Sequence, residues 1–140
     1  MDIKDCLKQR FLIEIKPSAD LVEKEFTEAA YDLNRSKKVF KEEDWKWAII
    51  QAYYSMFHSA RAVLFNLGFR EKRHFAIVVV LEDLNKKGKL EFKYVNDFEA
   101  VLSSRENADY HYVYSKEEAK HSLEIAKDFL ARMKKLLDKL

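Results

Sequence analysis

FAIVVVL, residues 75–81, is the stretch on which the fold of this chain turns. Its β-branched content suits a strand by propensity. A lone strand, however, leaves its backbone N–H and C=O groups without partners. Ile77, Val80, Leu81 and Leu84 also recur at helical spacing, up to a stop at Gly88. The stretch therefore predicts a helix, and with it an all-α chain.

The neighbouring segments agree. Upstream, after the charged KEED, Ile49, Tyr53, Met56, Phe57, Ala60, Leu64 and Leu67 form one stripe, while Trp47, Ile50, Tyr54 and Phe65 cover other sides. A helix apolar nearly all round is a central one, and Gly68 is placed to end it with a left-handed residue. Before it, Pro17 and Ser18 break the short N-terminal segment and cap a helix running to about residue 40, with Val22, Phe26, Ala29, Leu33 and Phe40 inward. Downstream, a helix starts near Phe92 and carries Tyr94, Phe98, Val101 and Leu102, a stripe that Arg105 and Ala108 continue. Ser115 followed by Glu118 reads as a capping box opening a last helix with Ala119, Leu123, Ala126, Leu130, Met133 and Leu137 inward. The expected architecture is an up-and-down antiparallel bundle of four to five helices, one domain over 1–140 with its core at about 18–138.

Composition supports this. The chain is 48% hydrophobic and 14% aromatic over 140 residues, enough for one sizeable core. Two glycines and one proline, where average usage predicts roughly ten and seven, leave little material for tight turns. A net charge of +2 gives no bulk attraction to nucleic acid or an anionic membrane. The basic connections REKRH (70–74) and NKKGK (85–89) read as solvated helix ends. Cys6 is alone, which excludes an internal disulfide and a cysteine-based zinc site. With a charged N-terminus and no long apolar run, the expectation is a cytoplasmic protein without membrane contact.

Three groups of residues carry potential chemistry. Glu71 with His74, and Glu118 with His121, have the Glu-x-x-His spacing of di-iron bundles. One pair falls in a charged connection and the other in a helix's first turn, so no metal and no cofactor is expected. Tyr54, His58 and Arg61 share one face of the central helix, either as a satisfied polar network or as a groove for a phosphate. The third group is RENADYHYVYS, residues 105–115. Arg105 lies on a core stripe and needs a partner, and Asp109 at i+4 is the local candidate. His111 lies about 240° of helical rotation past Arg105, so the two converge only if the helix ends or bends first.

AYYSMFHSARAVLFNLGF, the RENADY segment and the closing SKEEA helix together resemble a HEPN domain, the helical nucleotide-binding module of prokaryotes and higher eukaryotes, over about residues 18–138. The resemblance implies a helical bundle that commonly dimerises and is often encoded beside a nucleotidyltransferase as toxin and antitoxin. Many such proteins are metal-independent endoribonucleases carrying an arginine followed at a short interval by a histidine. Arg105 and His111 match that interval; Arg105 would then hold the scissile phosphate and His111 act as general acid or base at the ribose hydroxyl. Glu106 stands where the family usually has Asn, Asp or His, and Val113 where nucleotidyltransferase-modified members have tyrosine. The Arg-x-x-Ala-Asp-Tyr form, Arg105 to Tyr110, resembles a separate branch. The expected function is a nucleotide- or RNA-binding homodimer partnered with a nucleotidyltransferase, with Tyr54, His58, Arg61, Asp109, Tyr110 and Tyr112 as binding residues. The rivals are a ribonuclease using Arg105 and His111, and a ligand-free helical interaction module.

Overall fold

A computed structural model describes residues 1–140. The chain opens with a short helix, α1 (Ile3–Lys8), closed at its start by a reciprocal cap between Asp2 and Asp5. A three-residue strand, β1 (Leu12–Glu14), follows, and then α2 (Ala19–Lys41), with Ser18 Oγ accepting from Leu21 N. After α2 come α3 (Trp45–Leu67), a second three-residue strand β2 (Phe69–Glu71), α4 (His74–Lys86), α5 (Phe92–Tyr110) and α6 (Lys116–Leu137). The five long helices make an all-α, up-and-down antiparallel bundle.

FAIVVVL is helical. Every residue from Ala76 to Leu81 is buried, so the stretch is apolar because it is enclosed on several sides, not because it alternates in a sheet. α3 is the axis of the molecule, packed most extensively against α2 and next against α6. Its small residues let α2 approach closely, and two buried serines tie the pair: Ser36 Oγ donates to Ala48 O at 2.7 Å and Ser55 Oγ to Ala29 O at 2.8 Å. Each satisfies a hydroxyl that would otherwise cost about 1–3 kcal/mol to bury.

Two features lie outside the expected bundle. β1 and β2 pair antiparallel, Leu12 opposite Glu71 and Glu14 opposite Phe69, and α1 packs on α4 behind them. REKRH is therefore not a solvated connection: Arg70 and Glu71 belong to a strand, and His74 is the first residue of α4. Gly68 makes this possible. It ends α3 at φ 88°, and a Cβ there would sit 3.1 Å from Ile15 O, inside the approach that lets Ile15 N bond Gly68 O. At the opposite end of α3, Val39, Ala48, Ile49, Ala108 and Ala119 form a second, smaller core under the α5–α6 connection. No helix is long and apolar enough to cross a membrane.

Candidate functional site

The stripe that α5 turns toward α3 includes Arg105, whose side chain is only 13% exposed. Its guanidinium lies over three tyrosine rings, with Cζ 5.8 Å from the centroid of Tyr53, 5.5 Å from Tyr54 and 5.2 Å from Tyr110. Ring faces are electron-rich and stabilise a cation without neutralising it. Nη2 donates to Tyr54 Oη at 3.2 Å and lies 3.3 Å from Asp109 Oδ2. Nε is buried without an acceptor. That atom is enclosed, whereas Nη1 has no partner and is not enclosed, so it is Nη1 that is placed to meet an anion from outside.

Tyr53 extends the cluster to α4. Its hydroxyl is 2.5 Å from His74 Nδ1, and the His74 ring stacks on Phe57 with centroids 4.8 Å apart. Burial pushes the Tyr53 hydroxyl up despite Arg105 nearby. Burial, and after it the Arg105 charge, holds His74 below the ordinary histidine range. A protonated phenol beside a neutral imidazole means that Tyr53 donates to Nδ1, which leaves the ring proton on Nε2.

The remaining polar face of α3 forms a different network. His58 Nδ1 lies 2.5 Å from Glu25 Oε2 and Nε2 lies 3.6 Å from Asp32 Oδ2. Arg61 Nη1 is 3.6 Å from Glu25 Oε1, and Arg61 Nε is 2.7 Å from Glu71 Oε1. The latter is an ion pair in contact, without the linear N–H geometry of a hydrogen bond. Burial raises the Glu71 carboxyl against the pull of Arg61 and Arg70. The expected strip of Tyr54, His58 and Arg61 is thus divided: Tyr54 reaches α5, while His58 and Arg61 bind α2 and β2. Three carboxylates against Arg61 and the neighbouring Arg70 leave this second cluster without the excess positive charge a phosphate needs.

Residues 22–136 match the HEPN domain family. The chain belongs to that family. It is 28% identical over 132 residues to the protein of Methanocaldococcus jannaschii named "Putative toxin MJ0142", covering 90% of this chain and 87% of that protein. The fold is similar to the crystal structure of TT1696 from Thermus thermophilus, with a TM-score of 0.69 at 17% identity over 82% of this chain and 97% of that one.

Within this HEPN fold, the end of α5 separates Arg105 from His111. His111 N still donates to Asn107 O at 3.2 Å, so the helix runs unbroken through the interval and turns His111 to an exposed position off the Arg105 face. The bend comes one residue later. Tyr112 takes φ 57°, letting Val113 N donate to the same Asn107 carbonyl at 2.9 Å. Glycine usually supplies that conformation, and an L-residue there costs about 1–2 kcal/mol. Ser115 caps α6 through Glu118 N at 3.1 Å, but the reciprocal half of the expected capping box is absent. The Glu118 carboxylate instead accepts from Ser104 Oγ, tying α6 to α5.

Tyr54, Asp109 and Tyr110 therefore gather around Arg105, His58 and Arg61 do not, and Tyr112 lies under Lys46, with Nζ 5.8 Å from its ring. Sequence reasoning missed Tyr53, counted only as core, and His74, placed in a connection. The adjacency of two tyrosines in AYYSMF was the available signal, since consecutive helical residues diverge by about 100° and one of the pair has to leave the stripe. The groove between α4 and α5, about 430 Å³ in volume, lies beside this cluster but not on it. Val78, Val79 and Leu102 line it with Glu82, Glu99 and Glu106, so it offers an anion nothing.

Proposed function

We propose that this HEPN protein binds RNA or nucleotides through Arg105 and works as a homodimer beside a nucleotidyltransferase, in a system of the toxin–antitoxin type. Arg105 carries the reading: a nearly buried guanidinium, held by aromatic faces, with Nη1 unpartnered and a single partly exposed carboxylate within reach. Phosphate is the common anion of both ligand classes, and arginine's planar donor set suits it. The toxin name of the Methanocaldococcus relative supports the type of system; the dimer and the nucleotidyltransferase partner rest on what HEPN domains commonly do.

Calorimetric titration of the purified chain with nucleotides and a short RNA tests this. Saturable binding that weakens as salt rises, and that Arg105→Ala reduces by at least tenfold, is the expected result. Salt-insensitive binding, or binding indifferent to Arg105→Ala, sinks the proposal.

The interval between Arg105 and His111, which matches the arginine-to-histidine spacing of many HEPN ribonucleases, favours a second reading, metal-independent RNA cleavage by these two residues. Since the two residues occupy different faces of α5, that chemistry requires them to meet across two subunits. RNA cleavage in the presence of EDTA, lost in both Arg105→Ala and His111→Ala and restored by mixing the two variants, is its expected signature. Cleavage unchanged in either single variant rejects it.

A further inference from the structure

The last residue of α5 and the α5–α6 loop expose Tyr110, Tyr112, Val113 and Tyr114, and Trp47 on the first turn of α3 adds a fifth exposed apolar side chain. Single exposed apolar residues are ordinary; several large ones at one end of a bundle are not. Tyr112 is the most telling. It is 76% exposed, so it contributes little to packing, yet it holds a left-handed backbone that a bulky residue avoids and glycine would accept. Its side chain is retained against its backbone.

The charges at this end point to the occupant. Lys46 lies over the Tyr112 ring, and Lys116 Nζ lies 5.9 Å from the Trp45 ring. Of the carboxylates at this end, Asp44 accepts from Trp47 N at 3.2 Å, Asp109 pairs with Arg105 and Glu118 accepts from Ser104, while Glu42, Glu43 and Glu117 are exposed. Tyr110 joins this surface to the Arg105 site, since the guanidinium sits over its ring. A cation in an anion site, a tyrosine beside it, and a second tyrosine beneath a lysine make a track of alternating charge and π-face. Unpaired nucleobases stack on such faces whatever their sequence, while flanking lysines follow the backbone. A duplex keeps its bases stacked on one another and cannot use the track.

We infer that Tyr110 and Tyr112, with Lys46, form a base-stacking surface for single-stranded RNA that runs from the phosphate held at Arg105 along the α5–α6 loop. This inference rests on the RNA reading above and narrows it to unpaired RNA recognised without sequence preference.

Filter binding of the full chain to short oligouridine and oligoadenylate, and to their annealed duplex, tests it. The single strands should bind more tightly than the duplex. Tyr110→Leu and Tyr112→Leu should each weaken single-strand binding roughly tenfold and abolish the preference, with helical content unchanged by circular dichroism. Tyr112→Phe keeps the π-face and should bind as wild type, whereas Lys46→Ala should reduce the salt dependence by about one phosphate contact. Arg105-dependent RNA binding that ignores both leucine variants, or that favours duplex, overturns the stacking surface and leaves the binding function standing. Absence of saturable RNA binding by the wild type sinks both. A concentration-dependent dimer by sedimentation that Tyr112→Leu dissociates assigns the loop to a second copy of the chain, and overturns the inference.

Discussion

Two arginines of this bundle are buried to nearly the same depth and behave in opposite ways. Arg61 and Arg105 have side chains 18% and 13% exposed. Arg61 faces Glu71, a carboxylate only 4% exposed, together with Glu25. Arg105 faces three tyrosine rings and one carboxylate that is 32% exposed. Arg61 also lies over two rings, Phe57 at 5.4 Å and Phe65 at 5.2 Å, so aromatic faces are common to both. The difference is the acid: a buried carboxylate and a second one beside Arg61, a single partly exposed one beside Arg105. Depth of burial does not separate these two arginines, whereas the number and burial of their carboxylate partners does.

The difference should appear first in stability. Arg61→Ala strands Glu71 inside the protein and is expected to destabilise by about 3 kcal/mol, read from urea unfolding midpoints. Because burial already raises the Glu71 carboxyl, that loss should shrink as pH falls and the acid takes up a proton. A loss of less than about 1 kcal/mol at neutral pH would show Glu71 carrying a proton there and would erase the contrast. Arg105→Ala removes ring contacts and a half-exposed partner, so about 1 kcal/mol is expected from the same measurement.

His74 supplies a smaller, pH-dependent effect. Its folded-state pKa is depressed, so the unfolded chain takes up a proton first as pH drops. The stability due to neutral His74 is in place above the unfolded value of about 6.5 and is lost below it, until the folded group titrates too. His74→Gln should therefore flatten the fall in unfolding free energy between neutral and mildly acidic pH. An unchanged slope would mean that His74 takes up its proton equally readily in the folded and unfolded chains, so that the fold does not hold it neutral. The smallest effect should be a gain. Tyr112→Gly relieves the left-handed backbone and is expected to raise stability by about 0.5 kcal/mol, part of the relief being offset by glycine's freedom in the unfolded chain. If Tyr112→Gly instead destabilises, the tyrosine is packing after all.

Most of the helical frame was legible in the sequence because it rests on periodicity and caps. FAIVVVL, Gly68, Ser18 and Ser115 each carry a local signal that the structure bears out. The β1–β2 ribbon was not legible, since three residues show no period and their partners lie at the far end of two helices. That omission led to another: without β2, residue 74 reads as loop, and His74 disappears from the candidate site. The polar strip of α3 was legible only as a strip. A helical wheel shows that Tyr54, His58 and Arg61 share a face but not which neighbour each one meets along the axis. Arg105 was legible because a charge on an apolar stripe is a contradiction that a sequence displays openly.

The chain's two tryptophans both stand on the first turn of α3, Trp45 against Phe40 and Lys116, Trp47 half open to solvent. The main core contains no indole. The molecule therefore carries its own optical reporter at the end where binding is proposed. A change in indole emission on adding RNA would register events at that end alone, without a label and with the rest of the bundle silent.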